Sequence, residues 1–251
     1  MVPHTYLEHG LSVLHARLRN PSQPQAFGPH SEIQPFITIS RETGAGATTL
    51  GRELIPLLDR EFGAEGHGWA FLDRDLLAHA LTHHQLPVRL AQFIPEDRVS
   101  EIRAAVGELV GLHPSLWQLE QKVAEAILQL AHLGRVIFAG RAAHLITRSL
   151  AGGLHVRLVA SMESRVPRVA NLLRCSPDAA LAHIEKNDNA RRRFVRTNFG
   201  EDIDNCHLYD VVLNTDQLSP ATAGRIVIAA LGDRLEEAHA RAQASAIPVS
   251  A

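Results

Sequence analysis

The stretch Pro35-Phe36-Ile37-Thr38-Ile39-Ser40-Arg41-Glu42-Thr43-Gly44-Ala45-Gly46-Ala47-Thr48-Thr49-Leu50 decides the fold of this chain. Residues 35–40 are a short β-branched run, which reads as a strand. Downstream, Leu50, Leu54, Leu57, Leu58 and Phe62 recur at helical spacing and form an apolar stripe. Pro56 inside that helix removes one ladder bond and should kink it. Between strand and helix lies a turn of small residues. Such a turn aims backbone N–H groups at one point, an anion nest reinforced by the dipole of the helix that follows.

Working outward, the strand–helix alternation continues. Residues 69–73, 135–140, 154–160 and 209–215 are four more short apolar strands. Residues 75–112 read as helical but broken by Pro87 and Pro95. A long helix follows Pro114, with Leu119, Val123, Ile127 and Leu130 on one face. Ser219-Pro220 announces the last helix as an N-cap with proline at the first helical position, and Val227, Leu231, Leu235 and Ala238 form its stripe. Five strands separated by helices give an α/β fold with a parallel sheet covered on both faces. Ligands of such sheets sit at the carboxyl ends of the strands. Residues 1–34 differ: a short amphipathic stretch (Leu7, Leu11, Val13, Leu14, Leu18) leads into a Pro-rich linker, and the domain spans 35–251.

Composition excludes several classes. The 251 residues carry 25 Lys+Arg against 27 Asp+Glu, so no global field attracts nucleic acid or an anionic membrane. A 45% hydrophobic fraction is ample for a core. Cys175 and Cys206 form no C-x-x-C, which points to a reducing compartment without a disulfide framework. No apolar run reaches the ~18–20 residues that span a bilayer, and the first residues lack a signal-peptide pattern, so a cytoplasmic location is expected. His79, His83 and His84 lack the glutamate of H-E-x-x-H and read as a surface or interface cluster. Of the 25 basic residues only Lys122 and Lys186 are lysines.

The turn keeps half of the phosphate-loop pattern G-x-x-x-x-G-K-[ST]. Arg41 stands at its first glycine, Gly46 at its second, Ala47 at its lysine and Thr48 at its Ser/Thr. Further motifs follow in order: Phe71-Leu72-Asp73, Ala139-Gly140-Arg141, residues 154–165 ending in Arg165, Lys186-Asn187-Asp188 with Arg191-Arg192-Arg193, and 209–215. In this order they resemble the cytidylate kinases, above all the divergent cytidylate kinase-like branch that reads Ser-Arg-Glu at the loop and lacks the usual lysine. The resemblance covers roughly residues 36–232. It implies a three-layer P-loop kinase fold with a five-stranded parallel sheet, a helical acceptor-binding insert at about 74–133 and an arginine-bearing lid at about 176–205.

The same resemblance implies roles. Thr43, Gly44, Ala45, Gly46, Ala47, Thr48 and Thr49 would cradle the phosphates of ATP, and Thr48 would ligate Mg²⁺; either threonine is equally explained as a first-turn helix residue. Arg41 either replaces the missing lysine's charge or pairs with Glu42 to shape the loop. Asp73 is an acceptor-side carboxylate or a helix N-cap. Arg98 and Arg103 lie in the insert and would meet a monophosphate, unless they are exposed helix charges. Gly140 and Arg141 match a Gly-Arg-Asp that contacts the acceptor, but Ala142 replaces its aspartate. Arg165 belongs near the donor, and Asp188 with Arg191 keeps the Asp-x-x-Arg spacing of the lid, one helical turn apart. The implied activity is ATP-dependent phosphoryl transfer to a nucleoside monophosphate, CMP or dCMP first. A nucleotide-binding module without turnover, or a kinase with a non-nucleotide acceptor, are the alternatives. Partners are nucleoside mono- and triphosphates, with no nucleic acid and no membrane, and self-association is open to the helical insert.

Overall fold

The computed structural model describes residues 33–63, 68–73, 102, 106, 107 and 118–246. In chain order these form β1 (Phe36–Arg41), α1 (Ala47–Glu61), β2 (Ala70–Leu72), α2 (Gln118–Leu133), β3 (Val136–Ala139) and α3 (Ala143–Ile146). Then come β4 (Gly153–Val159), α4 (Met162–Leu173), α5 (Pro177–Phe199), a 3₁₀ turn (Cys206–Leu208), β5 (Val211–Asn214) and α6 (Pro220–Ala246). Arg98, Arg103, the three clustered histidines, the segment 1–32 and most of the insert lie outside the described residues.

The five strands are parallel and ordered β2-β3-β1-β4-β5. From β1 the chain moves outward to β2, returns to β3 and then crosses to β4 on the other side. The turn after β1 therefore opens where the winding reverses, the place at which α/β sheets bind ligands.

Alternation along the strands builds two cores. Ile37, Ile39, Ile137, Leu154, Val156 and Leu158 face α1 and α6, where Leu50, Leu54, Leu58, Val227, Leu231 and Leu235 meet them. Phe36, Val136 and Phe138 face the opposite way, onto Ile127, Leu130 and Ala143 and onto Val195 and Phe199 near the end of α5. Each fully buried side chain of this size contributes about 1.5–3 kcal/mol. Three layers, helix–sheet–helix, follow directly. The expected α6 stripe is buried throughout, while on α1 Leu50, Leu54 and Leu58 are buried and Leu57 and Phe62 only partly; α1 continues through Pro56 as one helix of 15 residues.

On β4 the second face is not apolar. His155 and Arg157 occupy it beside Thr38 and Ser40 of β1, and all four are buried. Thr38 Oγ1 and His155 Nδ1 share a 2.9 Å hydrogen bond. His144 of α3 lies nearby, its ring 4.8 Å from that of Tyr209. Among the described residues no helix is long and apolar enough to cross a membrane.

Candidate active site

The turn 42–46 begins with Glu42, whose N–H donates to Leu158 O and whose carboxylate accepts from Ala160 N–H at 2.9 Å. Glu42 thus ties the loop to the end of β4. Gly44 and Gly46 both have left-handed backbones, φ +85° and +89°. At Gly44 space matters as well, because a Cβ there would stand 2.9 Å from Val169 Cγ2 of α4. At Gly46 nothing crowds the position, so the backbone angle alone calls for glycine.

Gly46 also caps α1, with no side chain bonded at the cap. The N–H groups of Ala47, Thr48 and Thr49 belong to the first turn and have no intrahelical acceptor. Thr48 and Thr49 are exposed, whereas Ala47 is 7% exposed and its methyl packs into the α1–α6 core. The residue in the lysine position is thus a packing residue. Thr215 Oγ1 donates to Ala45 O at 3.1 Å, and Arg168 donates to Thr215 O at 2.8 Å, closing the loop on the side of β5.

The other side of the loop is closed by α5. Ser176 caps this helix and Pro177 opens it; Gly200 ends it in the left-handed conformation. From α5, Asp188 Oδ1 accepts from Thr43 N–H at 2.9 Å and Thr43 Oγ1 at 2.8 Å. Asp188 Oδ2 accepts from Arg165 Nη1 at 2.6 Å, and Arg191 reaches both Asp188 and the Thr43 hydroxyl. Burial opposes ionisation of Asp188, but the bonds from Thr43, Arg165 and Arg191 outweigh it and hold the carboxyl below its ordinary range. Thr43 therefore gives its N–H to Asp188, and Ala45 gives its own to Glu42 O at 3.2 Å.

Arg165 does not reach toward open solvent. It is 6% exposed, wedged between Asp188 and Glu42, whose Oε2 is 3.8 Å from its Nε. Arg168, three residues further along α4, is exposed and donates to Thr215 Oγ1 at 3.2 Å. Arg41 crosses to β3: its guanidinium lies where a side chain at Gly140 would stand, so that Gly140, φ +91°, is needed for the contact. Arg141 follows directly and is half-buried, with Arg141 and Ala142 both left-handed at φ 58° and 52°. Asp73 stands just past β2.

The sequence-derived set is thus drawn together as Thr43, Arg165, Asp188 and Arg191 by hydrogen bonds and Arg41 with Gly140 by contact. Two residues absent from that set also belong. Arg157 and Arg192 line the same small cavity as Arg41, Glu42, Asp188, Arg191 and Ile203. A charged residue in the middle of an apolar strand was the signal for Arg157, since a buried arginine is costly without an anionic partner. With Arg165 and Asp204, this region holds five arginines against three carboxylates, in a chain whose net charge is −2. Such a surplus beside Arg41 and Glu42, where the turn begins, suits an anionic ligand.

The comparisons with known proteins agree with this geometry. The family model described as the cytidylate kinase-like family matches residues 36–217. A cytidylate kinase from Pyrobaculum aerophilum is 26% identical over 191 residues, covering 76% of this chain and 89% of that protein. A cytidylate kinase from Pyrococcus horikoshii is 25% identical over 195 residues, covering 78% and 87%. Among solved structures, an uncharacterised protein from Eubacterium ventriosum superposes with a TM-score of 0.58 at 16% identity, covering 80% of this chain and 99% of that one.

Proposed function

The chain belongs to the cytidylate kinase-like family, and we propose that it transfers a phosphoryl group from ATP to a nucleoside monophosphate, CMP or dCMP. The observation that carries this reading is the left-handed glycine turn at the N-terminus of α1, to whose Thr43 both Asp188 and Arg191 of α5 are bonded. Phosphoryl transfer asks a protein mainly to hold two phosphates in line and to neutralise charge on the transferring group. The free N–H groups of Ala47, Thr48 and Thr49 would take donor phosphate oxygens. Thr48, exposed on that turn, fits a Mg²⁺ ligand, because Mg²⁺ is commonly held by one or two protein oxygens together with substrate phosphates and water. When bound, Mg²⁺ neutralises phosphate charge. Arg41 and Arg191 would add cations from the acceptor side and from the lid, and Arg165 with Asp188 would hold Arg191 in position.

A second reading, a module that binds nucleotide without turnover, is favoured by Ala47, whose buried methyl offers no charge to a β- or γ-phosphate. Ala142 bears on the acceptor: in place of a carboxylate it presents a buried methyl, which leaves a non-nucleotide acceptor open. The test is an acceptor screen with ATP and Mg²⁺ against each common monophosphate, scoring ADP. ADP formed with CMP or dCMP and not without acceptor supports the kinase reading. ATP bound without ADP from any acceptor supports the second.

A further inference from the structure

Arg157 lies in the middle of β4, side chain 5% exposed, on a strand otherwise built of apolar residues and one histidine. Three contacts accommodate it. Its Nη1 donates to Ser40 Oγ at 2.9 Å across the β1–β4 register, its guanidinium carbon lies 5.7 Å from the ring centre of Tyr209, and its Nη2 donates to Asp204 Oδ1 at 2.6 Å. Asp204 has a second oxygen, and that one accepts from Arg192 Nε of α5 at 2.8 Å. A single carboxylate therefore joins an arginine of the sheet to an arginine of the lid helix. Nearby, the Tyr209 hydroxyl donates to Ile203 O at 2.8 Å, fixing the residue before Asp204.

The sequence neighbour of Arg192 is Arg191, which reaches Thr43 and Asp188 at the loop. Consecutive helical side chains point about 100° apart. With Arg192 gripped by Asp204, the helix rotation is set, and Arg191 is directed at the loop. After Gly200 the chain turns back to the sheet, so Asp204 sits beside the end of α5 about which that helix would pivot.

We propose that Asp204 is a positioning residue: anchored by the buried Arg157 and holding Arg192, it sets the orientation in which α5 presents Arg191 to the phosphate loop. Its consequence for turnover rests on the kinase reading; the clasp itself rests on geometry alone. Asp204 touches no reacting group. A lone exposed ion pair contributes little, but here one end is buried and held from three sides, so little side-chain entropy remains to be lost at that end.

The experiment is amide hydrogen exchange on the full chain without nucleotide, followed by steady-state kinetics. Arg192→Ala removes the exposed arm and leaves the buried Arg157–Asp204 pair intact. Amides of 188–198 should exchange about threefold faster or more, while those of 154–158 stay as they were. Arg192→Lys should restore part of the protection. Because removing Asp204 alone would strand a buried charge, the second variant is Arg157→Met with Asp204→Ala, which removes both charges together and should loosen α5 in the same way. In an active enzyme, kcat should fall with KM for the acceptor little changed, because Arg191 acts on the transferring group. Unchanged α5 exchange in both variants overturns the proposal. Equal acceleration in β4 overturns it too, because the effect would then be general destabilisation. A wild type that transfers no phosphate would end the kinase reading while the exchange result still decides the clasp.

Discussion

Arg165 and Asp188 meet across 2.6 Å with both side chains 8% exposed, and Asp188 in turn binds Thr43, so the pair fixes α5 to α4 and to the phosphate loop. Arg191 approaches the same carboxylate from its own helix, but its side chain is 29% exposed. The two arginines therefore differ in what their loss does.

Arg165→Ala removes the buried guanidinium between Asp188 and Glu42, leaves Asp188 to Thr43 and Arg191, and should destabilise the fold by about 3 kcal/mol. Arg191→Ala should lower stability by no more than about 1 kcal/mol. Its cost should appear in turnover instead, as roughly a 10²–10³-fold loss of kcat/KM, the range for one preorganised electrostatic donor. Thermal melts and transfer rates of the two variants, side by side, check this.

Stability should fall on acidification, beginning near pH 6.5. Burial is the main cause that lowers His144 to about 3 and His155 to about 4; for His144 the neighbouring His155 and Arg157 add to it, and for His155 Asp210 opposes it. A histidine whose folded pKa is lowered binds more protons unfolded, so stability rises with pH between the folded values and about 6.5, and is lost as pH drops through that window. Asp188, held below its ordinary range, adds a loss at still lower pH. Melts between pH 7.5 and 4 should show the slope, and His144→Phe, which keeps an aromatic ring against Tyr209, should flatten part of it. A melting temperature flat across this range would contradict the assignment.

The glycines of the loop should separate by mechanism. Gly46→Ala meets no neighbour and carries the left-handed backbone penalty of roughly 1–2 kcal/mol. Gly44→Ala adds a collision with Val169 and should cost more and displace α4 from the loop. Denaturant midpoints rank the two.

Arg174 is exposed and ends α4 in the left-handed region at φ 53°. Arg174→Gly should therefore raise stability by about 0.5–1 kcal/mol without changing transfer, since glycine adopts that conformation without strain. A lower melting temperature would overturn this.

The strands and their parallel sense were legible in the sequence, because short β-branched runs alternate with helical stripes. Thr43, Asp188 and Arg191 were legible as members of motifs, but not as bonded partners: 145 residues separate Thr43 from Asp188, and only the fold brings them together. Arg165 was placed near the donor by its order along the chain, whereas its burial under α5 depends on how α4 and α5 pack. The pairing of Arg157 with Asp204 is not legible in the sequence, since a strand arginine and a loop aspartate 47 residues apart carry no local sign of each other. Ala47 reads in sequence as a missing charge and in the fold as a core methyl.

The most direct measurement follows phosphorus NMR signals in one mixture of protein, ATP, Mg²⁺ and CMP. Phosphoryl transfer predicts that the γ-phosphate signal of ATP declines as the β-phosphates of ADP and CDP appear together, and that Arg191→Ala slows this roughly 10²–10³-fold. ATP that persists unchanged with CMP, dCMP and every other monophosphate would contradict the kinase account.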